Sequence, residues 1–246
     1  MNRKNSNQEI NMTLFLSHRG ESDDAPENTL AAFKLAMERD SDGLELDIRL
    51  TSDNHVVVVH DEDLKRVANS DMVISDSTLA QLQSVHPVPL LKDVLAILKK
   101  GKHCQIELKG ADLHIIDGLK NILDLWQGDR SQLAVSSFEE ETIKQAAEVF
   151  PDLPRVLLVD LAQKFGKFPS ADEVEKYMKS LNCTGVSFKA DFSADKEFAD
   201  ELHKRGMRVV CWGVFTDELG IAMANIGVDA MTCNHAVALR KKYAEL

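Results

Sequence analysis

The sequence of 246 residues lacks most features of secreted or membrane-spanning chains. It has four cysteines, at positions 104, 183, 211 and 233, and no C-x-x-C pair, so neither a disulfide framework nor a common zinc-binding pattern is indicated. The apolar run near the N-terminus, residues 12–16, is too short for a signal-peptide core or a membrane span. We therefore expect a reducing compartment and predict a cytoplasmic protein without stable membrane association.

Positive charge is also scarce. Lysine and arginine number 29 against 40 aspartates and glutamates, which gives a formal net charge of −11. Such a surface repels nucleic acid and anionic lipid headgroups, so we predict no nucleic-acid partner. An anionic small-molecule substrate would have to meet local positive charge or a bound cation. The sequence leaves open whether the chain forms a homo-oligomer.

Short apolar runs alternate with amphipathic stretches along the chain, a pattern typical of repeated βα units and a parallel sheet. It predicts eight strands, at residues 13–18, 43–49, 103–108, 132–136, 154–159, 184–188, 207–212 and 228–232. Helices are predicted at residues 28–39, 90–100, 113–126, 139–150, 171–181, 194–205, 217–226 and 236–244. The predicted fold class is α/β, a single-domain (β/α)8 TIM barrel over residues 12–246, with a doubly wound open sheet as the alternative. Residues 1–11 are polar, and we expect them to form a disordered extension.

One segment interrupts the alternation. Residues 51–89 contain a second β-like run, at 56–59, followed by polar turns. In a barrel this segment would be a short insertion in the loop after the second strand, on the C-terminal face where active sites lie.

Charged and apolar residues alternate in the second predicted strand. Glu45 and Asp47 share one face, because successive side chains of a strand point to opposite sides. The same parity places Glu107 and Lys109 together on the third strand. Carboxylates that point into a barrel need compensation, and three of them form an open oxygen site suited to Mg²⁺ or Ca²⁺. The alternatives are a solvated face of an antiparallel sheet and, for Glu107 and Lys109, a strand-end ion pair.

Two histidines end β-like runs. His18 closes the first strand and His60 closes the run at 56–59, so both are placed at the C-terminal mouth. Phosphodiester cleavage needs a base and an acid, which two histidines can supply. Arg19 offers a planar fork for two phosphate oxygens. Together, three carboxylates, one divalent cation, Arg19 and Lys109 would give the site one net positive charge, which suits a phosphodiester monoanion. A lone histidine at such a position is more often a satisfied core or loop residue, and the alternative role of Arg19 is a surface arginine.

Several short motifs, in this order and spacing, resemble the glycerophosphodiester phosphodiesterase family. They are H-R-G at 18–20, P-E-N-T at 26–29, E-x-D at 45–47, T-x-D at 51–53, V-V-V-V-H-D at 56–61 and I-E-L-K at 106–109. The resemblance continues more weakly to the end of the chain. It implies a TIM-barrel hydrolase that splits small-molecule glycerophosphodiesters into glycerol 3-phosphate and an alcohol, with Mg²⁺ or Ca²⁺.

The resemblance also implies a role for each matching residue. General acid and base would be His18 and His60, the metal ligands Glu45, Asp47 and Glu107, and the phosphate- or substrate-binding residues Arg19, Lys109 and Trp212. Asn28 lies in the P-E-N-T motif before a predicted helix, where we expect its side chain to be the N-cap.

The chain departs from the family pattern in three places. The stretch from residue 60 to 107 is shorter than in other family members and lacks their glycine-rich turn after the H-D motif. Residues 212–215 read W-G-V-F, where W-T-V-N is common in the family, and residues 232–233 read T-C, where T-D is usual. All three lie where glycerol or the alcohol would be recognised. Two alternatives stay open: a phospholipase-D-like lyase or other phosphodiesterase on the same barrel, and a non-catalytic barrel that binds a phosphorylated metabolite.

Overall fold

Eight parallel strands form a closed barrel in a computed structural model that describes residues 12–246. The strands are β1 (Leu14–His18), β2 (Gly43–Leu50), β4 (His103–Leu108), β5 (Leu133–Ser137), β6 (Arg155–Val159), β7 (Gly185–Lys189), β8 (Arg208–Trp212) and β9 (Ala230–Cys233). Pairing of β1 with both β2 and β9 closes the barrel. A short strand, β3 (Val56–Val58), runs antiparallel to β2. The predicted TIM barrel is confirmed, whereas the prediction for residues 1–11 lies outside the described residues.

Helices surround the barrel, and eight of them coincide with predicted segments. These are α1 (Leu30–Glu38), α4 (Leu91–Ile97), α5 (His114–Leu125), α6 (Glu140–Val149), α8 (Ala171–Ser180), α9 (Lys196–Lys204), α10 (Asp217–Ile226) and α11 (Ala236–Ala244). Three short helices were not predicted, namely α2 (Lys65–Ala68), α3 (Leu79–Val85) and α7 (Leu161–Phe165). Each is two turns or less, too short for the apolar period of a helix to appear. Among residues 12–246, no helix has the length and apolar character needed to cross a membrane.

The two faces of the barrel strands differ sharply in chemistry. On β2, Leu44, Leu46 and Ile48 are fully buried in the main core between sheet and helices. Glu45 and Asp47 alternate with them and so face the barrel interior. A separate apolar cluster of Leu16, Val156, Val210 and Ala230 fills part of the barrel interior, so the charged groups lie next to an apolar layer.

The segment after β2 has a small core of its own. Its buried members are Val57, Val59, Leu64, Ile74, Leu82 and Val88. The T-x-D motif ties this insertion to the barrel, because Asp53 Oδ1 accepts hydrogen bonds from Thr51 Oγ1 at 2.6 Å and from the backbone N–H of Leu79 at 3.0 Å. The insertion is therefore a folded segment with its own small core and two helices, α2 and α3, rather than the run of polar turns that the sequence predicted.

An imidazole–carboxylate pair joins α9 to the start of β9. Asp229 Oδ2 lies 3.1 Å from His203 Nε2 and accepts the backbone N–H of Val209 at 2.7 Å. The hydrogen bond to Asp229 raises the pKa of His203 above its ordinary value, although burial opposes this. The protonated imidazole is thus favoured in the folded state.

Replacement of His203 by glutamine is expected to make stability less dependent on pH. The contribution of protonated His203 is complete below the ordinary histidine pKa and is lost as pH rises through the raised pKa. In urea denaturation we expect His203→Gln to cost about 0.5–1 kcal/mol more near pH 5.5 than near pH 8.5. The control is His114→Gln, whose imidazole is 82% exposed and lies 3.8 Å from Asp117. Equal losses at both pH values would contradict the assignment.

Candidate active site

Three buried carboxylates converge inside the barrel near the carboxyl ends of β2 and β4. Glu45 and Asp47 come from β2, and Glu107 lies directly opposite Asp47 in the parallel pairing. Their exposed fractions are 3%, 0% and 6%. One ligand oxygen from each lies within 4.8 Å of the others. The structure therefore brings together the three residues that the sequence singled out for a cation.

The unmet hydrogen-bonding capacity of this cluster fits a cation. Glu45 Oε2 is buried and accepts no hydrogen bond from the residues that the structure describes, whereas the buried Asp47 Oδ1 and Glu107 Oε1 share a single cationic neighbour, the Lys109 ammonium. Buried polar atoms normally find a partner, and an all-oxygen donor set is the one that Mg²⁺ and Ca²⁺ prefer. The three carboxylates would hold the ion and leave part of its coordination shell for other oxygens.

The cluster is electrostatically strained without a cation. Burial and the charges of Asp47 and Glu107 raise the pKa of Glu45 well above its ordinary range. Burial and Asp47 raise the pKa of Glu107 to about 7, in spite of nearby Lys109. Asp47 behaves oppositely: burial would raise its pKa, but Lys109 and Arg19 lower it strongly. Asp47 is thus the carboxylate held as an anion by the protein itself.

Two basic side chains and one amide surround Asp47. Arg19 Nε lies 3.1 Å from Asp47 Oδ2, and Lys109 Nζ lies 3.1 Å from Asp47 Oδ1 and 2.5 Å from Glu107 Oε1. Asn28 Nδ2 donates to Asp47 Oδ2 at 2.8 Å. The prediction that Asn28 caps α1 is wrong, because Thr29 is the N-cap and accepts the N–H of Ala32. The Asn28 amide belongs to the site instead.

A tight loop after β1 aims Arg19 and Asn28 at the cluster. Both residues have left-handed backbones, with φ of 59° and 54°, at a cost of about 1–2 kcal/mol each. The N–H of Arg19 donates to Glu45 O at 2.8 Å, and the N–H of Asn28 donates to Arg19 O at 2.9 Å. Gly20 permits this turn, since a Cβ there would lie 2.6 Å from Ala32. Strain of this kind is concentrated at functional sites in proteins.

The two histidines face the same cavity with different partners. His18 Nδ1 lies 2.7 Å from Asn234 Oδ1, and its Nε2 is 3.9 Å from Glu45 Oε2. His60 Nδ1 lies 2.6 Å from Asp61 Oδ1. Burial, followed by the charge of Arg19, lowers the pKa of His18, and burial lowers that of His60. With Nδ1 engaged by an acceptor, each ring keeps Nε2 free for proton transfer.

A cavity of about 330 Å³ lies above the cluster, with a charged side and an apolar side. The apolar side contains Phe138, Leu158, Trp212, Val214 and Phe215. The rings of Phe138 and Trp212 meet edge to face, with centroids 5.2 Å apart. Trp212 Nε1 donates to Ser187 O at 3.2 Å, so the indole offers the cavity its ring rather than its N–H. The structure therefore places Trp212 in the wall of the cavity.

The protein is a TIM barrel with a charged cavity at the carboxyl ends of its strands, the position of the active site in TIM-barrel enzymes. The model of the Glycerophosphoryl diester phosphodiesterase family matches residues 18–238, and the chain belongs to that family. A glycerophosphodiester phosphodiesterase of Caldanaerobacter subterraneus is 28% identical over 240 residues, covering 89% of this chain and 93% of the relative.

Solved structures agree in fold. The glycerophosphodiester phosphodiesterase of Thermotoga maritima has a TM-score of 0.76 and 26% identity, covering 94% of this chain and 98% of the other. A phosphodiesterase of Oleispira antarctica, in complex with the product sn-glycerol-3-phosphate, has a TM-score of 0.82 and 23% identity, covering 96% and 98%. Family membership and the named relatives support phosphodiesterase activity.

Several residues around the cavity were not singled out from the sequence. Asn234 follows a predicted strand by two residues, and that position was the only available signal for it. Asp61 stands in the H-D motif, but nothing in the motif shows that it bonds His60. Asn28 had a competing local role as a cap. These partners are remote in sequence or depend on loop geometry, which periodicity does not describe.

Proposed function

We propose that the protein hydrolyses glycerophosphodiesters to glycerol 3-phosphate and an alcohol. The observation that carries this is the convergence of the buried carboxylates of Glu45, Asp47 and Glu107 beside two basic side chains and two histidines at one cavity. A single divalent cation, Mg²⁺ or Ca²⁺, would be held by these three carboxylates. When bound, it would supply Lewis-acid polarisation of a phosphoryl oxygen.

The protein's own side chains account for the remaining requirements of the reaction. Arg19 and Lys109 hold the negative charge that grows on the phosphoryl oxygens. One imidazole, from His18 or His60, takes the proton of the attacking hydroxyl as the new P–O bond forms. The other gives a proton to the alcohol oxygen as the old P–O bond breaks, so that the proton count balances.

The apolar side of the cavity supports a substrate with both a charged and a carbon-rich portion. The ring faces of Trp212 and Phe138 would contact the carbon skeleton of glycerol or of the alcohol. The sn-glycerol-3-phosphate bound by the Oleispira antarctica neighbour supports the same substrate class. The four cysteines are all free in the structure, in keeping with the proposed cytoplasmic location.

Release of glycerol 3-phosphate tests this proposal. We expect a coupled assay to detect it from at least one of glycerophosphocholine, -ethanolamine, -glycerol and -inositol in the presence of Mg²⁺, Ca²⁺ or Mn²⁺. EDTA should abolish the release, and added metal should restore it. In ¹⁸O-labelled water the label should enter the phosphate product. A lyase adds no water to phosphorus, so its product would stay unlabelled. Absence of release from all four substrates with every metal would overturn the proposal.

A further inference from the structure

An arginine outside the cavity links the two loops that carry His60 and Arg19. Arg66, on α2, donates from Nη1 to Glu27 Oε2 and from Nη2 to Glu27 Oε1, both at 2.7 Å. Its Nε donates to Asp61 Oδ2, also at 2.7 Å. One guanidinium therefore holds two carboxylates, one from the loop after β1 and one from the insertion.

Each of these carboxylates continues toward the cavity through a second contact. Glu27 Oε1 accepts a hydrogen bond from Arg19 Nη1 at 2.9 Å. Asp61 Oδ1 lies 2.6 Å from His60 Nδ1. Arg66 itself is not among the residues that line the cavity, so its influence on the reaction must pass through Glu27 and Asp61.

The geometry favours a positioning role over a stabilising one. The Arg66 side chain is 49% exposed, and ion pairs at such exposure add little to the free energy of unfolding. The planar fork is nevertheless directional: three N–H groups meet three carboxylate oxygens at 2.7 Å. A lysine ammonium is a point donor without this fork, so it could not hold both carboxylates in the same orientation.

We propose that Arg66 is a positioning residue, which holds Asp61 against the imidazole of His60 and Glu27 against the guanidinium of Arg19. The inference rests on the proposed function, since that function assigns His60 to proton transfer and Arg19 to the phosphate. Without Arg66, the Asp61 carboxylate can turn toward water, and His60 loses the partner that fixes its ring. Arg19 keeps its ion pair with Asp47, but Glu27, its other partner, is no longer held in place by Arg66.

Kinetics of Arg66→Met and Arg66→Lys test both paths of contact, through Asp61 to His60 and through Glu27 to Arg19. We expect either change to lower kcat about 10- to 100-fold through misplacement of His60, and to raise KM through Arg19. The unfolding temperature should move by no more than about 2 °C. The matched control is Lys65→Met, because Lys65 precedes Arg66 on α2 but pairs outward with Asp71 at 2.7 Å. Its kcat and KM should stay within about twofold of the unmodified protein.

A double-variant cycle checks that the effect on kcat passes through Asp61. Asp61→Asn should lower kcat by itself, and the combination with Arg66→Met should lower it little further, because both changes break the same chain of contacts. Independent, multiplying losses would overturn the path through Asp61. Unchanged kcat and KM in Arg66→Met would overturn the positioning role altogether.

Proton NMR of the metal-free protein gives a readout that needs no turnover. The Nδ1–H of His60, bonded to a carboxylate, should give a downfield resonance, assigned by its loss in His60→Gln. Arg66→Met should shift or broaden this resonance, and Lys65→Met should leave it in place. An unaltered resonance in Arg66→Met overturns the inference, whereas failure of the unmodified protein to cleave any glycerophosphodiester overturns the proposed function alone.

Discussion

Replacement of His18 or His60 by glutamine is expected to lower kcat by about 10²- to 10⁴-fold, the usual contribution of a general acid or base. Glutamine retains a hydrogen-bonding end but cannot exchange a proton near neutral pH. Metal binding should persist, since neither histidine is among the three proposed ligands. Steady-state kinetics together with metal-dependent thermal unfolding measure the two properties separately.

The leaving group then distinguishes the two histidines. A substrate that releases p-nitrophenolate needs no proton on departure, so the variant that lacks the acid should recover much of its lost rate on that substrate. The variant that lacks the base should stay slow on both substrates. His114→Gln, on the exposed side of α5, is the control and should behave as the unmodified protein. If neither His18→Gln nor His60→Gln slowed cleavage by more than about tenfold, acid–base catalysis by this pair would be wrong.

Conversion of Glu45 to glutamine should abolish the activation and the stabilisation by metal without lowering the stability of the metal-free protein. The substitution retains the size of the side chain but removes one of three converging carboxylates, and with it the cost of burying a charge beside Asp47 and Glu107, which raises the pKa of Glu45. Lewis-acid stabilisation of several kcal/mol would be lost, which corresponds to at least about 10³-fold in rate.

Thermal unfolding with EDTA or with metal measures this directly. A cation at about 100 times its Kd stabilises the folded state by about 2.7 kcal/mol, or roughly 5–10 °C for a chain of this length. We expect that rise in the unmodified protein and in the control Glu148→Gln, whose carboxylate is exposed on α6. In Glu45→Gln the rise should vanish, while the unfolding temperature in EDTA stays the same or increases. A full metal response in Glu45→Gln would refute the ligand assignment.

The sequence was most informative where local chemistry repeats. On β2 the alternation of leucine and isoleucine with Glu45 and Asp47 predicts which side chains enter the barrel, because strand parity is a local property. The same holds for Glu107 and Lys109 on β4. The eight βα units predict a TIM barrel as the simplest architecture, although the pattern by itself also allows a doubly wound open sheet.

Contacts between distant segments were the part that could not be predicted. Asn28 looks like a helix cap in its own neighbourhood, yet its amide bonds Asp47, which is 19 residues away. Arg66 lies 39 residues from Glu27, and His18 lies 216 from Asn234. No periodicity links such pairs, since their proximity exists only after the barrel closes. Motif resemblance singles out His18 and Asn28 but does not supply their partners.

The insertion after β2 has consequences for how this barrel can vary. Its two ends are adjacent in space, because the N–H of Val58 donates to Pro89 O at 2.9 Å and Val57 bridges Leu90. Added residues between these ends would cost little, since the entropy of loop closure grows only slowly with length. The insertion could therefore become longer or shorter while Glu45, Asp47 and Glu107 keep their register on β2 and β4.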